Sequence, residues 1–332
     1  MKLTISDIAR KAGVSKTTVS RVLNNRPDVD EDTRKNILKI IEELKYVPSH
    51  TAKCLSTGKR NLIGLIVPSL SSYFSLEIIR GIAEGITDTR YELVLYTTGL
   101  SEYTEQIYSR AIQGDLVDGI IVVLPRDHKE NYLQSSHEIP IIAVDYSGIE
   151  FQYPRITATN VMGAYEGTKY LISLGHRQIG FITGLMDLGC SQERLQGFNQ
   201  AMSEAGLEVD QSLIGNGDFT RLSGELLAKE WLSSSKKPTA IFCSNDEMAL
   251  GVLDVAEQRH IRVPSELSIM GFDDINEARL RKPSLTTIKQ PLFEMGNRAA
   301  LGLINLMSGN TIQSETLETQ LITRESCAPP IT

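Results

Sequence analysis

Cysteine and histidine are scarce in this chain, and the few present are far apart. The four cysteines (Cys54, Cys190, Cys243 and Cys327) form no Cys-x-x-Cys pair, and the five histidines show no paired metal-ligand spacing. Such a pattern predicts neither a disulfide framework nor a zinc site. We therefore expect no metal and no other cofactor.

Long hydrophobic runs are also missing. The longest, such as residues 120–124, fall far short of the roughly 18 residues that a membrane span needs. The N-terminus is polar from Lys2 onward and lacks the apolar core of a signal peptide. We expect a cytoplasmic protein with no membrane partner. The length of 332 residues and the ordinary globular composition predict two or three domains.

Three glycine motifs of common enzymes are absent. The loop at 68–74, after the first predicted strand, has no glycine that would let a pyrophosphate approach. Neither a Gly-x-x-x-x-Gly-Lys-Ser/Thr loop nor a Gly-x-Ser-x-Gly turn occurs. These absences argue against an enzyme. Catalytic sets scattered along the chain, and a ligand-binding protein whose N-terminal helices only pack, stay open as alternatives.

Charge is distributed unevenly along the chain. Residues 1–60 carry a net charge of +6 and the remainder −13, within an overall −7. A basic head on an acidic body suggests a nucleic-acid-binding segment attached to a domain with another task.

The head has the pattern of three short helices. Thr4 and Asp7 form a capping box before an apolar stripe, and Gly13 ends that first helix. Ser15 can cap a second helix almost at once, and Asp30 a third. Two short helices joined by a tight glycine turn indicate a helix-turn-helix. The polar face of the second helix carries side chains suited to phosphates and base edges: Lys16, Thr17, Ser20, Arg21 and Asn24.

Residues 5–24, ISDIARKAGVSKTTVSRVLN, strongly resemble the helix-turn-helix of the lactose-repressor (LacI/GalR) family of bacterial transcription regulators. The resemblance implies that Lys16, Thr17 and Arg21 read bases and that Thr18 and Ser20 mainly contact phosphates. With them, the candidate DNA contacts are Thr4, Ser15, Asn24, Thr51, Ala52 and Leu55.

Residues 48–60 read as a linker, because Pro48 ends the third helix and Gly58 has polar neighbours. A helix of residues 50–56 is too short to be stable alone. The family uses this segment as a hinge helix that orders on operator DNA, and Leu55 matches the leucine that enters the minor groove. An ordinary solvated tether is the alternative.

From residue 62 the chain alternates strands and helices. Strands are predicted at 62–67, 93–97, 119–124, 139–144, 178–183, 239–243 and 267–271. Helices are predicted at 75–89, 102–114, 129–136, 161–174, 191–206, 220–233 and 246–260. Two such series predict two α/β lobes with parallel sheets, and ligands bind near the carboxyl ends of such strands.

This body resembles the effector-binding core of the same family, which shares the two-lobed fold of type I periplasmic binding proteins. The resemblance rests on stretches such as GHRQIGFI at 175–182, NDEMALG at 245–251 and GFDD at 271–274. It implies an all-α head at 1–47, a hinge at 48–60 and a two-lobed effector-binding and dimerisation domain at 61–332. The candidate effector residues are Tyr73, Phe74, Thr159, Asn160, Arg194, Phe219, Asn245 and Asp273.

Together these features predict a ligand-responsive repressor of carbohydrate-use genes that binds palindromic operator DNA. Two half-sites supply the specificity that one recognition helix lacks, so we expect a homodimer. The resemblance implies that it forms through helices near 75–86 and 246–258. A tetramer, a corepressor, a protein co-regulator, and a nucleobase or phosphorylated effector stay open. The family's usual aspartate is replaced by Thr159, so the sugar itself is not identified.

Overall fold

The computed structural model describes residues 3–24, 26–46, 60–98, 111, 116–125, 139–147, 153–234 and 237–331. The chain divides into two compact units, Met1–Asn61 and Leu62–Thr332. None of the helices in these described ranges combines the length and apolarity needed to span a bilayer.

The first unit contains three helices: α1 (Ile5–Ala12), α2 (Lys16–Leu23) and α3 (Glu31–Glu43). The Asp7 carboxylate accepts hydrogen bonds from the Thr4 N–H and hydroxyl at 3.0 and 2.7 Å, which holds the first turn of α1. Gly13 ends α1 with a φ of 68°, a left-handed conformation in which a Cβ would be strained. The predicted start and stop signals of α1 are therefore confirmed.

A single apolar cluster joins the three helices. Ile8, Val19 and Ile37, one from each helix, are completely buried in it. An eight-residue helix is marginal alone, so α2 owes its shape to this shared core. Its remaining faces are free to be polar.

The second unit contains two six-stranded sheets, each forming one lobe. The sheet of lobe 1 has the order β11-β5-β4-β3-β1-β2, and all its pairings are parallel. Its strands are β1 (Leu62–Val67), β2 (Glu92–Thr97), β3 (Gly119–Val123), β4 (Ile141–Val144), β5 (Arg155–Ala158) and β11 (Glu315–Leu317). Helices α4 (Tyr73–Ile86) and α10 (Leu292–Met307) contribute to an apolar cluster with this sheet.

The sheet of lobe 2 has the order β12-β10-β9-β8-β6-β7, parallel except for the antiparallel pair β10–β12. Its strands are β6 (Ile179–Thr183), β7 (Ile214–Asn216), β8 (Ala240–Cys243), β9 (Ser268–Asp273), β10 (Thr286–Lys289) and β12 (Gln320–Ile322). Its helices are α5 (Asn160–Ser173), α6 (Gly189–Glu204), α7 (Arg221–Trp231), α8 (Asp246–Gln258) and the short α9 (Asn276–Leu280).

The chain passes between the lobes three times: from β5 to α5, from β10 to α10, and from β11 to β12. Neighbouring crossovers are joined by hydrogen bonds. The Thr159 hydroxyl oxygen accepts from the Thr319 N–H at 2.9 Å. The lobes are therefore linked by bonded strands at one edge, which leaves the opposite side free to form a cleft.

The seven strands predicted from the sequence are all present, with bounds within two residues. Five others were missed: β5, β7, β10, β11 and β12. They are only three or four residues long, and β5 (RITA) and β10 (TTIK) lack the runs of Ile and Val that signal a buried strand. The predicted helices at 102–114 and 129–136 lie outside the described residues, apart from residue 111.

Helices α4 and α10 are packed backbone to backbone. A Cβ at Gly81 would lie 1.9 Å from the Phe293 carbonyl oxygen, and one at Gly296 would lie 2.1 Å from the Ile78 carbonyl oxygen. No side chain fits at those distances, so these two glycines set the spacing between the helices.

Gly81→Ala should destabilise the body by about 1–3 kcal/mol or more, because one helix must move away from a packed core. Gly64→Ala is the matched control, since its nearest contact would be an ordinary 3.4 Å to a Val117 methyl. Urea unfolding of both variants checks this. Equal midpoints for the two variants would contradict the close contact.

Candidate nucleic-acid interface and inter-lobe cavity

The outer face of α2 is polar and exposed. Lys16, Thr17 and Arg21 are exposed, whereas Val19 and Val22 face the core. Arg21 forms one ion pair, at 3.5 Å, with Asp28, and both side chains are about half exposed (53% and 54%). Such a pair contributes little to stability, so Arg21 can exchange it for another partner at small cost.

Three neighbouring polar residues instead fix the ends of α2. The Ser15 hydroxyl accepts from the Thr18 N–H at 3.0 Å and lies 2.8 Å from the Thr18 hydroxyl. At the other end, Asn24 donates to the Ser20 carbonyl at 2.9 Å. Some of the predicted DNA contacts on α2 are thus exposed side chains that bond to neither helix end. Others also fix an end of the helix: the exposed Ser15 and the half-buried Thr18 and Asn24. Thr51, Ala52 and Leu55 lie outside the described residues.

A cavity of about 320 Å³ lies between the two lobes, at the carboxyl ends of their strands. Lobe 1 contributes the loop that follows β1, together with Leu124 and Asp145, which follow β3 and β4. Lobe 2 contributes Cys190 and Arg194 of α6, the segment from Asp218 to Arg221, and residues at the ends of β8 and β9. This is the position that parallel α/β sheets favour for ligands.

Five of the eight predicted effector residues line this cavity: Phe74, Arg194, Phe219, Asn245 and Asp273. Tyr73 is not in its wall and packs against a lobe 2 apolar cluster. Thr159 is also outside the wall, and its hydroxyl bonds to Thr319. Asn160 lies behind the wall, where it holds Arg194.

Arg194 is the central charge of the cavity and is only 2% exposed. Its Nε donates to the Asn160 side-chain oxygen at 2.9 Å, and its Nη1 donates to the Ser244 carbonyl at 2.6 Å. Carboxylates from both lobes lie near it: Asp145 of lobe 1 at 4.0 Å and Asp273 of lobe 2 at 3.9 Å. The guanidinium is thereby fixed in orientation between the lobes.

Several residues around the cavity adopt backbone conformations with positive φ, which glycine adopts most easily. Leu124, Asp145, Phe219 and Asp273 have φ values of 49°, 56°, 68° and 116°. Non-glycine residues in this region are uncommon and cluster at functional sites. The Phe219 ring occupies space that Gly184 leaves open, since a Cβ there would lie 2.0 Å from the ring.

Sequence reasoning missed Asp145, Cys190, Glu247 and Arg221, which also line the cavity. The position of Asp145 directly after β4 was the available signal, because that is where the carboxyl end of a buried parallel strand opens into a cleft. Arg221 carried no comparable signal. Its guanidinium binds Asp254 and Glu277 at 2.6 and 3.0 Å.

Burial dominates the electrostatics of the cavity. It raises the pKa of Asp273 to about 7, against the opposing effect of Arg194, while Asp145 and Glu247 raise that pKa further. Burial also raises the pKa of Asp145, of Glu247 and of the Cys190 thiol. A neutral thiol is a poor nucleophile, so Cys190 acts as an apolar part of the wall. Within the described residues, no three acidic, histidine or cysteine side chains form a metal-binding group.

Comparison with known proteins gives two family matches. Residues 4–49 match bacterial regulatory proteins of the lacI family, and residues 168–327 match a periplasmic binding protein-like domain. The chain is 35% identical to catabolite control protein A of Priestia megaterium, over 96% of each protein. It is 34% identical to the ribose operon repressor of Haemophilus influenzae, over 97% of this chain and 98% of the other.

Among solved structures, the fold is similar to that of the lac repressor dimer bound to operator and the anti-inducer ONPF. The TM-score is 0.89 at 26% identity, and the match covers 99% of this chain and all of that one.

Asp273→Asn should change how stability depends on pH. The folded-state pKa of about 7 lies above the ordinary 3.8. Between these two pH values the folded protein therefore binds more protons than the unfolded chain. The Asp273 contribution therefore falls as pH rises from about 4 to about 7, by up to about 1.4 kcal/mol per pH unit. Asparagine can still accept from Gln290 and tolerates positive φ.

Thermal unfolding between pH 5 and 8 checks this, with Glu208→Gln at an exposed position as the control. We expect the melting temperature of Asp273→Asn to rise relative to the parent as pH increases, while that of Glu208→Gln runs parallel to it. A constant offset for Asp273→Asn would show that Asp273 does not titrate in this range.

Proposed function

The chain belongs to the lacI family of bacterial regulatory proteins. From that premise we propose that it is an operator-binding repressor whose affinity for the operator is lowered or raised by a small molecule. The observation that carries this proposal is the exposed polar face of α2, on a unit separate from the body that holds the cavity. A chain of this kind has one surface for DNA and one site for an effector.

The proposed DNA contacts are the polar residues on the exposed and partly exposed faces of α1 and α2, together with the hinge. Lys16, Thr17 and Arg21 read base edges in the major groove, and the hydroxyls of Thr18 and Ser20 contact phosphates. Thr4 and Ser15 support the phosphate contacts at the N-termini of α1 and α2, and Asn24 supports them through its side-chain amide. Thr51, Ala52 and Leu55 belong to the proposed hinge, so the functional division is head 1–47, hinge 48–60 and body 61–332.

We propose a homodimer on a palindromic operator. The operator-bound lac repressor, which this fold matches, is a dimer, and two recognition helices are needed to specify a site. The protein functions in the cytoplasm and catalyses no reaction. This part of the proposal is supported by its relatives, which are transcription regulators.

The proposed effector is a sugar or sugar derivative. Rings such as Phe74 and Phe219 can cover apolar sugar faces, while Arg194, Asn245 and Asp273 form hydrogen bonds. The ribose operon repressor among its relatives supports a carbohydrate role. Closing the cavity moves one lobe against the other, and the hinges of a dimer then change their separation. An effector that weakens operator binding tenfold must bind the operator complex tenfold more weakly, a coupling of about 1.4 kcal/mol.

Arg21→Ala should weaken binding to the specific operator by about 1–3 kcal/mol and leave non-specific binding nearly unchanged, because a bidentate base contact is lost. Lys39→Ala, an exposed cation on α3, is the control. Fluorescence titrations with an operator selected from random duplexes measure both. A uniform loss on all sequences, with the salt slope reduced by about one, would reassign Arg21 to a phosphate.

Phe219→Ala should lower the affinity at least tenfold for any sugar that raises the melting temperature of the parent, because the contact between the ring and the sugar face is lost. Operator affinity without effector should not change. Phe293→Ala, an aromatic on α10 that is absent from the cavity wall, is the control. Equal sugar affinity in the two variants would place the effector elsewhere.

A further inference from the structure

The charged groups of the cavity wall are unbalanced. Four carboxyl groups line it (Asp145, Asp218, Glu247 and Asp273), and among the described lining residues Arg194 and Arg221 are the two cations. Arg221 is already paired with Asp254 and Glu277, which lie outside the wall. Arg194 lies beside Asp145 and Asp273, and Asp273, with its pKa of about 7, is only partly ionised at neutral pH. Asp218 and Glu247 then leave the wall with more negative charge than positive.

The hydrogen-bonding groups that remain unused in the cavity also favour a ligand that supplies donors. Arg194 uses Nε and Nη1 on Asn160 and Ser244. The Asp145 Oδ2 atom, by contrast, is buried with no hydrogen-bond partner among the described residues. Unsatisfied buried acceptors are costly, so a ligand gains most by supplying donors.

The carboxyl groups also repel one another. Asp145 and Glu247 each raise the pKa of Asp273, which means that another negative charge nearby is already unfavourable. The amino end of α4, where Ser72 makes no side-chain cap, offers some attraction to an anion. That attraction is equivalent to roughly half a charge, and a doubly charged phosphate would still approach Asp218 and Glu247 as well as the two carboxyl groups beside Arg194.

We propose that the cavity selects its effector by charge: the ligand is a hydroxyl-rich molecule that carries no phosphate or carboxylate group. Hydroxyls can donate to the carboxyl oxygens and accept from the remaining Arg194 N–H groups. This inference rests on the proposed function only in assuming that the cavity holds an effector.

The charge can be measured without knowing the effector. Ser72→Cys places a thiol in the wall at the end of α4, where no capping bond is lost. Gln313→Cys places one at an exposed position and calibrates the intrinsic reactivity of the reagents. Cationic and anionic methanethiosulfonates of similar size are then compared at low salt, with labelling at each site followed by mass spectrometry.

The ratio of the cationic to the anionic labelling rate should be at least tenfold higher at Ser72→Cys than at Gln313→Cys. This preference should shrink with added salt and when Glu247→Gln is introduced. An equal or anionic preference at Ser72→Cys overturns the proposal. Because the helix end itself favours anions, a cationic preference cannot arise from that end.

Calorimetry with matched pairs supplies the second arm: ribose and ribose 5-phosphate, glucose and glucose 6-phosphate, fructose and fructose 6-phosphate. Each sugar that binds should bind at least tenfold more tightly than its phosphate ester. Glu247→Gln should reduce this ratio of affinities. Any ester that binds as tightly as its sugar overturns the selectivity. If none of the sugars binds but a neutral nucleobase such as adenine does, with the cationic preference retained, the carbohydrate role and the hydroxyl-rich ligand are both overturned, and only the exclusion of anions stands.

Discussion

The buried guanidinium of Arg194 is the interaction on which the cavity depends. A charge removed from water must be compensated nearby, and losing one partner of a buried pair is strongly unfavourable. Asn160 and the Ser244 carbonyl provide its hydrogen bonds, while Asp145 and Asp273 approach it from the two lobes. Any relative movement of the lobes changes the Asp145 distance. The energetics of closure and the recognition of a ligand therefore share one side chain.

The crossovers at the edge of the cleft also carry polar contacts. Gln290, in the second crossover, donates to Asp273 at 2.7 Å, and Thr159 and Thr319 join the first and third crossovers. The second crossover is thus in direct contact with Asp273, which lines the cavity. In the proposed function, a ligand that contacts Asp273 therefore acts next to a segment that joins the lobes.

The sequence predicts the structure best where a local signal is complete within a few residues. Ser15, Gly13 and Asp30 fix helix ends by their own backbone chemistry, and the structure places them as expected. Runs of Ile and Val predict the buried strands for the same reason. Arg194 and Asp273 were identified through resemblance, and both line the cavity.

What could not be predicted depends on contacts between distant parts of the chain. Thr159 looked like a residue of the cavity wall, yet it bonds to Thr319, 160 residues later. The edge strands β11 and β12 are three residues long and acquire their partners only from the folded sheets. The position of Asp145 directly after β4 indicates a place in the cleft, but its proximity to Arg194 of lobe 2 could not be read from the sequence. Periodicity carries no information about such pairings.

The three crossovers also bear on the order in which the protein can be built. Lobe 2 is almost continuous in sequence, from α5 to β10, and lacks its edge strand β12 and the segment after it, whose Cys327 packs in the lobe 2 core. Lobe 1 is split, with β1 to β5 at one end and α10 and β11 at the other. During synthesis the apolar face of its sheet, including Leu65, Ile121 and Ile142, must wait for α10 to cover it. The lobe that emerges first from the ribosome therefore stays partly uncovered until most of the chain has been made.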